Sequence, residues 1–515
     1  MMSETRRNII VMLCSVFAFV ILVSCGDAYE ADQEIITRTN EAEQDVIACA
    51  NEAEQDVMVR ANFEGNISDY EFLFEAGRDR EWEEDVIYLA SNFLYSHPLF
   101  IDEPIAILTF DTLIESIVRR HQMTELYLLY NSQLRTEFLY GINELIIRIP
   151  ELEDHEIIMN LSRIIAKLYD DHSWISMPSS KQLPFAFALH YDEQFSEAPY
   201  GVPWPHIRAV CSGFSSLINT RILSINGVEI DEIFERLRPL IPHSTEAGFR
   251  SGLAFTGQRI SFLHNDALRY IGVVGYEEVV PITVRDVSGS IFTVEVPFVN
   301  EMMYATIEQH EVDTERLFSL SRPGEHYWFK HFSEENMIFV RISLFWETLG
   351  FSSMQFWNQV RNKIIEQSGI DTFVIDLRGN PGGDILTGIA ELFSWVQISD
   401  NRKLLGDMYI IIDHNSASRS VLEAYLFRNI VEDVILIGSP AAGPINVFHT
   451  HGWPTFLPNS GIGFAASSRY ILLNPYTETN TLYPDIFVHS TLSDFVNNYD
   501  AVIETIRERR TVSED

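Results

Sequence analysis

The stretch MYIIIDHNSASRSVLEAYLFRN, residues 408–429, holds two kinds of structure end to end. Its opening run is apolar without alternation as far as Asp413, the pattern of a strand buried on both faces. From Ser418 the apolar residues fall at helical spacing, so a strand ends near Asp413 and a helix runs over 418–430. Three serines, an arginine and a histidine crowd the junction. A serine at a helix N-terminus meets backbone N–H groups and the positive end of the dipole, which favour an alkoxide or tetrahedral oxyanion. The same position suits an ordinary N-cap, and from this segment alone the cap is the better reading of Ser416 or Ser418.

The junction belongs to a series. Strands are predicted at 337–343, 372–377, 408–413 and 434–438, with helices at 353–367, 385–396, 418–430 and 495–509. The alternation makes residues 301–515 an α/β core, a sheet covered by helices. In such sheets ligands sit beyond the carboxyl ends of strands. A second strand end, FVIDLRGNPGGD at 373–384, turns through Asn380, Pro381, Gly382 and Gly383. Glycines leave backbone N–H groups uncovered, as an oxyanion hole or anion cradle requires. The turn lacks the GxxxxGK[ST] and GxGxxG spacings, which argues against nucleotide binding.

Upstream, residues 176–300 read as β-rich. RILSINGVEIDEIFERL (221–237) is a β-branched run, an Asn-Gly turn and an amphipathic helix, and VVPITVRDVSGSIFTVEVPFV (279–299) is two strands about a glycine turn. Residues 69–175 carry helical periodicity in EEDVIYLASNFLYSHPLF, TEFLYGINELIIRI and DHEIIMNLSRIIAKLYDDH, with Trp82 in their core. Residues 25–68 are a tether containing the 11-residue tandem repeat NEAEQDVIACA–NEAEQDVMVRA.

At the N-terminus Arg6 and Arg7 precede an uncharged apolar run from Ile9 to Val23, then LVSCG, Leu22 to Gly26. A basic segment, an apolar run and small residues describe a secretory signal over 1–24. The run is shorter than the ~20 residues that span a bilayer. The Leu-Val-Ser-Cys order resembles the bacterial lipoprotein signal, which implies lipidation of Cys25 and an exported, membrane-anchored protein of the cell envelope. Acidic residues outnumber basic ones 74 to 36, a formal charge of −38. Loss of Glu4, Arg6 and Arg7 with the signal (net +1) leaves −39. Such a chain repels phosphate backbones, which argues against nucleic acid as partner. Cys49 and Cys211, beyond Cys25, do not make a disulfide framework.

DLRGNPGG (376–383) followed a few dozen residues later by SASRS (416–420) at a strand-to-helix junction resembles the C-terminal-processing (tail-specific) serine peptidases, closest to their tricorn-like and retinoid-binding-protein-like relatives. The resemblance continues through YSHPLF (95–100), KLYDDHSW (167–174), VILIGSPAAGPIN (434–446) and YPDIFVHSTLSDFVNNYDAVIETI (483–506). It implies a helical N-terminal domain, a PDZ-like β domain and an α/β, crotonase-like peptidase core. In the PDZ-like segment Asn219 stands where glycine is usual, and Asn tolerates positive φ.

The resemblance also implies roles. Ser418, the middle serine, would be the nucleophile. Branches with a Ser–Lys dyad carry the lysine where this chain has Pro444, and Lys403 is the last lysine. The tricorn-like branch takes its base from a D-x-H-[ST] motif, matched by Asp171, His172 and Ser173, and imidazole titrates near neutrality as a base must. His414, His449 and His451 compete with His172 but match no motif. Glu478, six residues before Pro484-Asp485, would orient the histidine, with Asp171 as the alternative. Gly382 or Gly383 and Arg419 would supply oxyanion N–H donors. No metal or organic cofactor is implied.

The departures are Ser439 for a frequent glutamate, AAG for TGG, and Ala417 for a frequent phenylalanine. LPNSG (457–461) matches a sortase signal, but no membrane stretch follows and it reads as a turn. The expectation is a lipid-anchored serine endopeptidase acting on peptides or unstructured protein segments through an acyl-enzyme. Its rivals are an inactive peptide- or lipid-binding module on the same fold and an esterase with similar Ser–His chemistry.

Overall fold

The runs without alternation form a six-stranded sheet in chain order: Tyr327–Phe332, Met337–Ile342, Ile370–Asp376, Leu405–Ile412, Val434–Gly438 and Ile486–Phe487. The first pair is antiparallel and the rest are parallel. Successive side chains face opposite sides, so a strand buried on both needs apolar residues at every position. One face packs Val340, Ile375, Ile410 and Leu436 against the helices Ser353–Glu366 and Arg419–Ile430. The other packs Phe339, Val374, Ile411 and Ile437 against Val502, Ile503 and Ile506 of the helix Ala501–Ser513. The α/β core is therefore as expected from sequence.

This computed structural model describes residues 76–112, 125–178, 181–191, 203–254, 260–300, 307–347, 351–383, 392, 395–396, 399–449, 454–477 and 479–513. The signal segment with Cys25 and the tandem repeat lie outside them, as does most of the expected 385–396 helix. Among the described residues no helix is long and apolar enough to cross a membrane.

Three helices, Arg78–Ser96, Ser132–Arg148 and Asp154–Ala166, lead the chain. Their Phe93, Phe138 and Ile157 share one continuous apolar core with Phe185, Ile207 and Phe234 of the β-rich segment. In that segment the Asn226-Gly227 turn takes φ of 49° and 75°, joining Ile225 to Val228 as a two-residue hairpin demands. Asn219 sits at φ 60°.

Two readings change. The helical N-terminal segment also contributes strands, Ile105–Thr109 and Glu125–Tyr127; the first runs parallel to Arg469–Leu472. Its ladder partner lies far along the chain, so no local window reveals it. The final helix begins at Ala501 rather than 495, after a short helix Leu492–Val496. Asn498 turns left-handed at φ 53°, and the Asp500 carboxylate then receives the Ile503 amide at 3.2 Å, starting the helix afresh. LPNSG is a turn whose Asn459 and Ser460 amides donate to the buried Asp85 carboxylate at 2.8 and 2.9 Å.

Candidate active site

The glycine turn and the serine loop are laced together at adjacent strand ends. Ala417 donates its amide to the Asn380 carbonyl at 3.0 Å, and Ser420 Oγ donates to the same oxygen at 2.8 Å. Ser416 Oγ donates to the Leu377 carbonyl at 2.8 Å and accepts the Asp413 amide at 3.0 Å. Ser416 and Ser420 are thus structural. Ser418 precedes the helix Arg419–Ile430 but makes no side-chain cap hydrogen bond, so the N-cap reading fails for it. Its backbone, at φ 50° and ψ −123°, lies in a region that costs a non-glycine residue roughly 1–3 kcal/mol, as on a sharp strand-to-helix turn.

His172 arrives from the other end of the chain, on the turn after the helix Asp154–Ala166. Two residues later the short strand Trp174–Ile175 pairs antiparallel with Gly463–Ala465, which fixes the turn against the C-terminal half. His172 Nε2 lies 3.1 Å from Ser418 Oγ, and Nδ1 lies 3.1 Å from Asp171 Oδ1. An ionised Asp171 assigns the tautomer: Nδ1–H donates to the carboxylate, and Nε2 accepts from the serine hydroxyl.

Asp170 is the residue that sequence reasoning missed. One oxygen receives the His172 amide at 2.9 Å; the other receives Ser173 Oγ at 2.5 Å and faces His97 Nε2 at 3.3 Å. Ser173 Oγ in turn accepts the Ser467 amide at 3.0 Å. Burial raises the Asp170 pKa, but His97, His172 and Ser173 together outweigh it and bring the group down to about 2. A depressed carboxylate stabilises the fold above its unfolded pKa of about 4, and that stabilisation is lost as pH falls from there towards 2. Asp170→Asn is therefore expected to cost roughly 2–3 kcal/mol at pH 7 and to flatten the acid limb of the stability curve, read by urea unfolding between pH 2 and 7. The signal was the doubled aspartate in KLYDDHSW, of which only the second was weighed.

The other candidates divide. The Gly382 amide is already spent on Asn380 Oδ1 at 2.8 Å, which removes Gly382 from the oxyanion donors by competition for its single N–H. Gly383 makes no such bond among the described residues, and the Arg419 amide lies in the first helical turn, beside Ser418. The Arg419 side chain is buried on Glu423 Oε1 at 2.8 Å and over the Phe345 ring at 4.3 Å, so it is committed to packing. The His449 ring sits edge-on to His172, with centroids 5.8 Å apart. His414 is buried with Nδ1 unbonded, packed on Tyr191. Glu478 and His451 lie outside the described residues. Asp170, Asp171 and His172 bring possible metal-ligand atoms within 4.8 Å of one another, but the hydrogen bonds just given engage them all.

No protein-family model and no curated sequence matches this chain. Among solved structures it is similar to mature CPAF complexed with lactacystin, with TM-score 0.51 and 10% identity over 84% of this chain and 98% of that one. That likeness shows a shared fold. Looser matches, which carry no weight here, are the photosystem II D1 C-terminal processing protease (TM-score 0.34, 10% identity, 79% and 93% coverage) and the tricorn protease (TM-score 0.32, 12% identity, 76% and 38% coverage).

Proposed function

We propose that the chain is a serine peptidase of the C-terminal-processing kind, hydrolysing peptides or unstructured protein segments. The observation that carries this is the relay Asp171–His172–Ser418, two contacts of 3.1 Å of which the second joins residues 246 apart at a strained serine. Ser418 Oγ attacks the scissile carbonyl while His172 Nε2 takes its proton. The developing oxyanion is received by the amides of Gly383 and Arg419. His172 then returns the proton to the leaving amine, and water releases the acyl group by the same route in reverse. Asp171 holds the ring and stabilises the imidazolium.

Fluorophosphonate labelling of the full chain, with an unfolded protein as substrate, tests the reading. Labelling lost in Ser418→Ala together with substrate cleavage supports it. An inert Ser418 beside tight peptide binding replaces it with the binding-module reading, and a preference for acyl esters with it unmodified replaces it with the esterase. The orienting carboxylate has its own test. Asp171→Asn is expected to cost about 10³–10⁴ in kcat by admitting the wrong tautomer, and Glu478→Gln much less. The reverse ranking would give the role to Glu478.

Export and anchoring belong to the same proposal, on the strength of the Leu22–Cys25 signal. Labelled palmitate incorporated by the wild type and not by Cys25→Ser is the expected outcome.

A further inference from the structure

A cavity of about 370 Å³ opens at the carboxyl ends of the parallel strands, where Asp376, Ile412 and Gly438 each end a strand and line it. None of Ser418, His172, Gly382, Gly383 or Arg419 lines it. Its volume falls in the range of small-molecule sites, and strand carboxyl ends are where α/β sheets place ligands.

The acidic groups in its wall are already matched. Arg378 bonds Asp376 at 2.7 Å and Asp500 at 2.9 Å. Asp413 Oδ1 receives the amides of Gly379 and Asn415, at 2.9 and 3.0 Å. Of the remaining basic groups, Arg341 donates to the Asp376 carbonyl at 3.1 Å, whereas Arg208, His190 and His414 are not matched. Arg208 is exposed and makes no hydrogen bond or ion pair among the described residues. His190 has ring neighbours only, and His414 is more than nine-tenths buried with Nδ1 unbonded. Leu189, Val488 and Phe495 supply an apolar wall.

We propose that this cavity is a second, non-catalytic site for a small amphipathic carboxylate, with its head at Arg208, His190 and His414 and its apolar body against Leu189, Val488 and Phe495. Of the three arginines in the lining, Arg208 alone has no carboxylate within ion-pair reach among the described residues, and that corner selects an anion. A carboxylate there gives Arg208 a charge-assisted partner that nothing in the described chain provides. The site stands whether or not Ser418 is a nucleophile. Its floor is nevertheless shared with the active site, because Asp413 receives the Gly379 amide of the glycine turn on its side chain and the Ser416 amide of the serine loop on its carbonyl, each at 2.9 Å.

The test is calorimetric titration of the full chain carrying Ser418→Ala with 4-phenylbutyrate, and with 4-phenylbutanol as its uncharged counterpart. Saturable 1:1 binding is expected, at least tenfold tighter for the acid than for the alcohol. Arg208→Gln should erase that tenfold preference, and Ser319→Trp, at the cavity wall, should block both compounds. No binding of the acid, binding indifferent to Arg208→Gln, or displacement of the acid by an unstructured peptide substrate would each overturn the proposal. The last would make the cavity part of the substrate groove.

Discussion

Ser418→Ala is expected to lower kcat/KM on an unstructured substrate by about 10⁴-fold or more, since removing the nucleophile leaves only the oxyanion donors and binding. Stability should respond in a way that separates a strained nucleophile from a structural serine. Ser418 makes no cap bond, so alanine forfeits only the hydrogen bond to His172 and keeps the unfavourable backbone at φ 50°. Glycine at the same position is equally dead but relieved of that strain, and Ser418→Gly should unfold at a higher temperature than Ser418→Ala, by an amount worth up to ~1 kcal/mol. Ser416→Ala should do the opposite. It strands the Asp413 amide, while the Leu377 carbonyl keeps the Asn380 amide at 3.2 Å, costing about 1–3 kcal/mol with a smaller loss of rate. If Ser416→Ala abolished activity while Ser418→Ala did not, the assignment of the nucleophile would be wrong.

Gly383→Ala should combine loss of rate with loss of stability. A Cβ there would lie 2.0 Å from the Phe345 carbonyl oxygen, at a φ of 133° that L side chains rarely adopt. The chain can admit it only by shifting the glycine turn, whose preceding residue Gly382 abuts Ser418. Loss of one oxyanion donor is worth about 10²–10³ in kcat. Gly461→Ala is the control: it also has positive φ, 68°, but no heavy atom lies within 4 Å of the added carbon. It should cost about 1 kcal/mol and leave kcat alone. Parallel kcat and thermal-unfolding measurements on the two variants decide whether the turn serves chemistry or only folding.

How much of this was legible in the sequence depends on the range of the physics involved. A strand buried on both faces writes itself locally, so Phe373–Asp376 and Met408–Ile412 were readable as they stand. Ser418 and His172 were reached through motif resemblance, because no local rule links residues so far apart. The strand Ile105–Thr109 was missed for the same reason in reverse: its partner is Arg469–Leu472. The oxyanion choice between Gly382 and Gly383 needed to know where the Asn380 side chain points, which rotamer and not composition decides. Asp170 looked like a duplicate of Asp171. Only its buried contacts with His97 and Ser173 distinguish a residue that holds the turn from one that touches the imidazole.

The pairing of Trp174–Ile175 with Gly463–Ala465 has a consequence for when activity begins. During synthesis the histidine emerges long before the serine, and the strand that clamps its turn emerges later still. Neither half made alone possesses a working centre. On the proposed peptidase reading, a nascent or truncated chain is therefore silent towards its neighbours, and hydrolytic competence would switch on only when the two ends of the polypeptide have found each other.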